Sequence, residues 1–468
     1  MKHYDMLFIH PSAQMSAPLF IMMPMGLLSI INELKDYHVK AVNVGLELSL
    51  NKDFDLKTFL KSMEFDRVGI DLHWHEHAYS ALEIARLCKE VNPDCLVVVG
   101  GLTASYFAEE ILNFCSSIDV VVKGEAEEVM PHLLKEKDMA EIPNIVYRNN
   151  GIKRTMMTRP HSLEGYNFSR VANLDHFEEY LKCSIHAHSR RRFWYDFWLL
   201  IGRGCVYDCS YCGGGKSAQN NIFRRDTLTF RSVDHVIDDL LYLKDLGVHI
   251  VCPSHDLMLA GEKYWSTFFE SMKKEGIYMG MYLEVFQLPD RSFIEGLASV
   301  CDARFTTVVI TVLSGSEEVR MKNGKYFSNH DYFECIEYLE KYHINHIPYF
   351  ATGLPFETRE TFQETMEMTE KILSNYNPSY LFCTPLRLDP GSPMYEHPEE
   401  YGVIKHYKTF ADYYDRCKKR TENLPYDYMG YHTELMSQET IMDMQNQWDT
   451  MIKENSKAVQ SMEELHFL

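Results

Sequence analysis

The segment Ile201-Gly202-Arg203-Gly204-Cys205-Val206-Tyr207-Asp208-Cys209-Ser210-Tyr211-Cys212 carries three cysteines as Cys-x3-Cys-x2-Cys. The apolar run Leu199 to Gly204 leads into it, so a strand is expected there, with the cysteines on the loop that leaves it. Three thiolates at this spacing wrap one face of an iron–sulfur cubane. A [4Fe–4S] cluster has four irons, so three protein ligands leave one iron open to chelate an amine and a carboxylate. Zinc is the competing reading, but it takes a fourth close ligand, and the next residues are Gly213-Gly214-Gly215. An accidental group of free thiols is the remaining one. Gly213 to Ser217 is not a phosphate loop, because the position six residues before Lys216 is Ser210 rather than glycine.

Working outward from the triplet, strands are expected at Val248 to Cys252, Tyr278 to Val285, Thr307 to Val312, Ile347 to Ala351 and Leu381 to Pro385. Ser232 reads as the cap of a helix closed by Gly247. Six strands with helices between them predict a partial (β/α)6 barrel over residues 196–390. A helical region rich in Tyr and Met follows over 391–468. Upstream, Met6 to Ile9, Val39 to Val44, Arg67 to Leu72, Leu96 to Val99 and Asp119 to Val122 alternate with helical stretches such as Ala78 to Val91. That rhythm predicts an α/β domain over 1–145, a doubly wound parallel sheet that binds ligands at the carboxyl ends of its strands. Residues 146–195, with the turn Asn149-Asn150-Gly151 and the basic run Arg190-Arg191-Arg192, read as a linker.

The chain has 468 residues, 46% of them hydrophobic, and a net charge of −20 from 67 acidic and 47 basic residues. So acidic a surface repels phosphate backbones and disfavours a nucleic-acid partner. The longest apolar run, Ala17 to Ile31, is broken by Pro24 and Gly26 and is too short to cross a bilayer; no signal-peptide cleavage pattern follows. A cytoplasmic protein is expected. Twelve cysteines there do not make a disulfide framework. Cys88, Cys95, Cys115, Cys183, Cys252, Cys301, Cys335, Cys383 and Cys417 are scattered singly in apolar stretches and read as small buried hydrophobes.

The triplet, with Tyr211 before its last cysteine, resembles the signature of radical S-adenosylmethionine (SAM) enzymes. Thr352-Gly353-Leu354-Pro355-Phe356-Glu357-Thr358 resembles that family's turn after the fifth barrel strand. Leu313-Ser314-Gly315-Ser316-Glu317 resembles the ribose-contacting end of the fourth. The resemblance implies Cys205, Cys209 and Cys212 as catalytic cluster ligands. It implies Tyr211, Asp256, Glu284, Ser314, Gly353, Leu354 and Pro355 as the surroundings of SAM, although a strand-end acid is as often a helix cap.

Val98 to Ser105, including Gly100, Gly101 and Thr103, and Asp119 to Glu128, including Gly124 and Glu125, resemble the cobalamin-binding domain of cobalamin-dependent radical SAM enzymes. Pro24 to Leu28 resembles that group's first helix start. Glycines after a strand let the backbone approach a large flat ligand. Many such domains supply an axial histidine from Asp-x-His-x-x-Gly on the first loop, but here that loop reads His10-Pro11-Ser12-Ala13-Gln14-Met15. His73 and His75, at the end of a later strand, are the candidate cofactor ligands; ordinary loop or capping histidines are the plainer account. Arg387 either forks onto a substrate carboxylate or pairs with Asp389. Tyr413, Tyr414, Tyr426, Tyr428 and Tyr431 line a pocket or, more simply, pack a helical cap onto the barrel.

The resemblance implies a methyltransferase. A 5′-deoxyadenosyl radical abstracts hydrogen from an unactivated carbon of a small molecule or peptide, cobalamin delivers the methyl group, and an external one-electron reductant feeds the cluster. The alternative is a radical SAM enzyme that does not use cobalamin and catalyses a rearrangement, cyclisation or other alkyl transfer. A non-catalytic metal- or cobalamin-binding sensor would need neither the turn at 352–358 nor a complete barrel.

Overall fold

A computed structural model describes residues 2–13, 24–135, 137–159, 162–182 and 195–455. Gln14, Met15, Cys183 and the run Arg190-Arg191-Arg192 lie outside them. The amino-terminal sheet holds β1 (Met6–His10), β2 (Val39–Asn43), β3 (Arg67–Asp71), β4 (Leu96–Gly100), β5 (Val120–Val122), β6 (Ile145–Arg148) and β7 (Ile152–Arg154), in the order β2-β1-β3-β4-β5-β6-β7. The first five are parallel, and β6 and β7 add an antiparallel hairpin. Asn150 and Gly151, in its three-residue turn Asn149-Asn150-Gly151, both take positive φ, which Asn and Gly accept most readily. Stretches of three or more apolar residues such as Val97-Val98-Val99 are buried on both faces, which is why they read as continuous runs. The winding reverses between β1 and β3, where a doubly wound sheet opens its ligand crevice.

The second sheet holds β8 (Tyr195–Leu199), β9 (Val248–Pro253), β10 (Gly280–Val285), β11 (Thr307–Leu313), β12 (Asn345–Thr352) and β13 (Phe382–Pro385). All are parallel and follow chain order, and β13 does not pair back to β8, so the sheet is an open curl. Helices cover its convex face. Its concave face carries a separate apolar group: Ile250, Cys252, Tyr282, Val309 and Ile347, with Trp198 and Phe382 against them.

Three expectations are corrected. Residues 146–154, read as the start of a linker, instead extend the amino-terminal sheet as β6 and β7. The first barrel strand runs over Tyr195–Leu199, not Leu199 to Gly204; Gly202–Arg203 leaves the sheet to pair antiparallel with Thr229–Phe230. Ser232 stands at its helix N-cap, but its hydroxyl donates to Glu164 Oε2 at 2.8 Å and does not cap the helix.

Four helices matter for the site: α1 (Met25–Glu33), α2 (Ala78–Val91), α3 (Phe410–Thr421) and α4 (Gln438–Glu454). The tail spans both sheets' territories, with α3 packed on α2 and α4 on β12 and β13. Tyr413 and Tyr431 are fully buried and donate to the carbonyls of Leu388 and Gly353 at 2.9 and 2.7 Å. These are packing roles, while Tyr426 and Tyr428 remain exposed.

Candidate active site

Cys205, Cys209 and Cys212 share the loop after β8 and are partly exposed, whereas Cys88, Cys95, Cys115, Cys252, Cys301, Cys335, Cys383 and Cys417 are all buried. The loop is fastened at several points. Lys216 N–H donates to Tyr207 O at 2.8 Å, Met394 N–H to Ser210 O at 2.9 Å, and Ser210 Oγ bonds Asn323 Oδ1. Asn323 Nδ2 in turn donates to Pro355 O at 3.0 Å, which ties the cysteine loop to the turn after β12. Burial pushes all three thiols up, Cys212 to about 12. The three sulfurs do not all lie within 4.8 Å of one another. A tetrahedral zinc, with Zn–S of about 2.3 Å, would hold thiolate sulfurs about 3.8 Å apart. The triplet is followed by Gly213-Gly214-Gly215, which bring no fourth side-chain ligand of the kind a structural zinc takes.

Most expected SAM-contacting residues have structural commitments. Both oxygens of Asp256 accept backbone N–H groups, from Met258 at 2.9 Å and Phe286 at 2.8 Å, so it caps a short helix turn; burial raises its carboxyl to about 6. Ser314 is fully buried; its Oγ accepts from Ser316 N–H at 3.1 Å and its carbonyl accepts from the buried Arg320 at 2.7 Å. These bonds anchor the end of β11. Gly353 has φ +80°, its N–H donates to Glu357 Oε2 at 2.8 Å, and a Cβ there would meet Met429 at 2.6 Å. Leu354 is fully buried, and Tyr211 packs with it, Leu313 and Ala351 in a small apolar group at the curl's mouth. Glu284 differs. It lies in register with Val309 on the concave face, is exposed in the middle of the sheet, and has no side-chain hydrogen bond among the described residues. Desolvation raises its carboxyl.

In the amino-terminal domain, Gly101 has φ +114°, and a Cβ there would stand 2.6 Å from His73 N. The glycine lets two loops pack. Gly100 has ordinary surroundings, with Val122 Cβ at 3.8 Å from its would-be Cβ. Thr103 N–H and Oγ1 both donate to His73 O, at 3.1 and 2.9 Å. Gly124 N–H donates to Ser105 Oγ at 2.9 Å. Glu125 is paired with Arg203, 3.0 Å away, and with Arg225, so it is not a free cofactor contact.

His75 is buried and committed on both nitrogens: Nε2 lies 3.1 Å from Asp389 Oδ1, and Nδ1 is 3.2 Å from Arg416 Nη1. It is no candidate axial ligand as placed. The His73 imidazole is exposed, stacks edge-on to Trp74 and has no hydrogen bond among the described residues. Arg387 pairs with Glu76 of the amino-terminal domain rather than with Asp389, over the Tyr428 ring. Arg203, Glu127, Arg416 and Lys325 were not expected at the site. Only Glu127 carried a signal, as part of the Gly-Glu-x-Glu segment.

The description of the radical SAM superfamily matches residues 199–369, and that of the B12 binding domain matches residues 15–134. The chain belongs to the radical SAM enzymes that carry a B12-binding domain. Among relatives, an uncharacterized methyltransferase of Pyrococcus horikoshii is 23% identical over 80% of this chain and 78% of its own length. The hopanoid C-3 methylase of Methylococcus capsulatus is 24% identical over 59% of this chain; the match spans half of that protein. The radical SAM methyltransferase TsrM of Kitasatospora setae, solved with tryptophan and a SAM analogue, superposes with a TM-score of 0.71 at 17% identity, covering 98% of this chain and 90% of TsrM. The cobalamin-dependent radical SAM enzyme OxsB gives 0.63 at 13% identity over 97% of this chain and 67% of its own. These likenesses establish the two-domain fold.

A radical SAM domain implies a [4Fe–4S] cluster and SAM, and a B12-binding domain implies cobalamin. The residues fit these groups. The loop that carries the three thiols packs at Cys209 against Gly324, beside a buried ammonium, Lys325, that has no carboxylate partner among the described residues. Glu284 leaves an uncommitted carboxylate on the concave face of the radical SAM domain. On the B12-binding domain, the carboxyl edge at the winding reversal presents the uncommitted imidazole of His73. No helix among the described residues is long and apolar enough to cross a membrane.

Proposed function

We propose that this protein transfers a methyl group to an unactivated carbon of a small molecule or peptide, as a cobalamin-dependent radical SAM methyltransferase. The observation that carries this reading is the junction at which the cysteine loop and the carboxyl edge of the B12-binding domain meet. Arg203 reaches Glu127 there, and Asp389, against Gly213 of the cysteine loop, reaches His75. When bound, the cluster and SAM supply one-electron cleavage of a sulfonium, and cobalamin carries the methyl group. Cys205, Cys209 and Cys212 hold the cluster. Tyr211, Leu313, Ala351 and Leu354 exclude water at its mouth. Trp198, Val309, Ile347 and Phe382 form an apolar floor, and Glu284 orients a polar group above it. Tyr349 Oη and Thr384 Oγ1, 3.0 Å apart on the same face, offer a further hydrogen-bonding edge. An external one-electron donor completes the system. The names of the relatives, a C-3 methylase and a methyltransferase solved with tryptophan, agree with a small carbon acceptor.

The test is product analysis. Reconstituted, reduced protein is given SAM labelled in its methyl group, with a small-molecule extract. The reading expects 5′-deoxyadenosine, released slowly even without extract, and label in a new carbon–methyl bond. S-adenosylhomocysteine as the sole SAM product would contradict it.

A further inference from the structure

Lys325 stands where a lysine is costly. It is 4% exposed, and among the described residues its ammonium donates only to Phe286 O, at 2.8 Å. A buried cation needs an opposite charge to offset its lost hydration. The groups whose charges act on it are the three cysteine thiols, Asp256 and Glu284. Asp256 is already bound through both oxygens to backbone N–H groups, and Glu284 forms no ion pair with it among the described residues.

The chain fixes this lysine from both sides. Gln287 clamps its loop with each end of its amide: Nε2 donates to Gly324 O at 3.0 Å, and Oε1 accepts Tyr326 N–H at 2.8 Å. Gly324 has φ +96°, and a Cβ there would lie 2.9 Å from both Cα and Sγ of Cys209. Only glycine lets the loop come this close to the cysteine. The Tyr326 side chain, next along, turns outward and is exposed. Backbone and clamp therefore aim Lys325 past the thiols and away from solvent.

We propose that Lys325 is a positioning residue for the cluster, the fixed positive charge that offsets the three thiolates and raises the reduction potential of the iron–sulfur group they hold. This rests on the cluster assignment above. Reduction adds a negative charge to the group, and a nearby buried cation stabilises the reduced form more than the oxidised one. In the cluster-free chain the buried ammonium has no carboxylate ion-pair partner among the described residues, so a neutral side chain of similar length is better tolerated there.

The experiment is a redox titration of reconstituted protein, without SAM, followed by absorbance near 400 nm. It compares wild type, Lys325→Met, Lys325→Gln and Lys325→Arg, alongside thermal unfolding of each cluster-free form. The expected result is a lower midpoint potential in the Met and Gln variants, a potential near wild type for Arg, and a higher Tm for cluster-free Lys325→Met. Lys325→Gln keeps a donor for Phe286 O, so it separates charge from hydrogen bonding should Lys325→Met hold no cluster. A wild-type potential in Lys325→Gln with full iron content would overturn the proposal. Absence of iron from the wild type would instead defeat the cluster assignment on which it rests.

Discussion

Arg203, two residues ahead of the first cluster cysteine, donates to Glu127 Oε1 at 2.5 Å across the junction between the two domains. Glu127 is 3% exposed and also accepts from Ser29 Oγ, on α1, at 2.7 Å. One carboxylate thus joins the first helix of the B12-binding domain to the strand that leads into the cysteine loop. Its partner guanidinium holds that carboxyl below the usual range against the opposing effect of burial.

Removing one member of this buried pair leaves the other uncompensated. Arg203→Met or Glu127→Gln should each destabilise the protein by about 3–5 kcal/mol, and the double variant by less than their sum. Denaturant midpoints of the four proteins check this. Arg203→Lys should not restore the wild type, because lysine cannot contact Glu125 and Glu127 with one planar fork.

The two adjacent glycines should behave differently. Gly101→Ala forces a Cβ into the backbone of His73 at a positive φ and should cost about 1–3 kcal/mol or more. Gly100→Ala meets nothing closer than 3.8 Å and should leave the melting temperature nearly unchanged. Thermal unfolding of both variants, followed by cobalamin binding to Gly100→Ala, separates packing from ligand approach.

Glu357 gives a signed pH dependence. Its carboxyl is fully buried and pushed up to about 8 by desolvation, against the N–H groups of Gly353 and Leu354 that pull it down. In the unfolded chain it titrates near 4.5. Between those values the folded protein keeps a proton that the unfolded chain has released, so its contribution to stability is lost as pH rises through that window. Glu357→Gln should remove this slope. The variant should gain on wild type in Tm as pH goes from 5 to about 8.

His73, not His75, is the imidazole expected to reach cobalamin. His73→Ala should change the absorbance spectrum of bound hydroxocobalamin. His75→Ala should leave that spectrum alone and lower stability, because it strands Asp389 and Arg416. The reverse pattern would return His73 to an ordinary loop residue.

The backbone of this fold was largely legible. Apolar runs such as Val97-Val98-Val99 and Thr307 to Val312 mark buried parallel strands, and Ala78 to Val91 matches its helix residue for residue. The cysteine spacing located the loop that now joins both domains. Side-chain commitments were not legible, because they are set by partners distant in sequence. Glu125 looks like a ligand contact until Arg225 and Arg203 are folded against it. Ser314 looks like an open strand end until Arg320 closes over it. Lys325 follows an ordinary Asn-Gly and carries no local mark of burial; only Gln287 and Cys209, brought in by the neighbouring strands, turn it inward.

The central claim is that one chain holds both an iron–sulfur cluster and cobalamin. Anaerobic reconstitution with iron, sulfide and hydroxocobalamin, gel filtration, and elemental analysis of the same fraction test it directly. The account predicts about four irons per chain on three cysteine ligands, together with one cobalt. In Cys209→Ala the iron should be lost while the cobalt stays. A fraction that carries full iron but no cobalt at any cobalamin concentration, or a Cys209→Ala variant that keeps its iron, would contradict it.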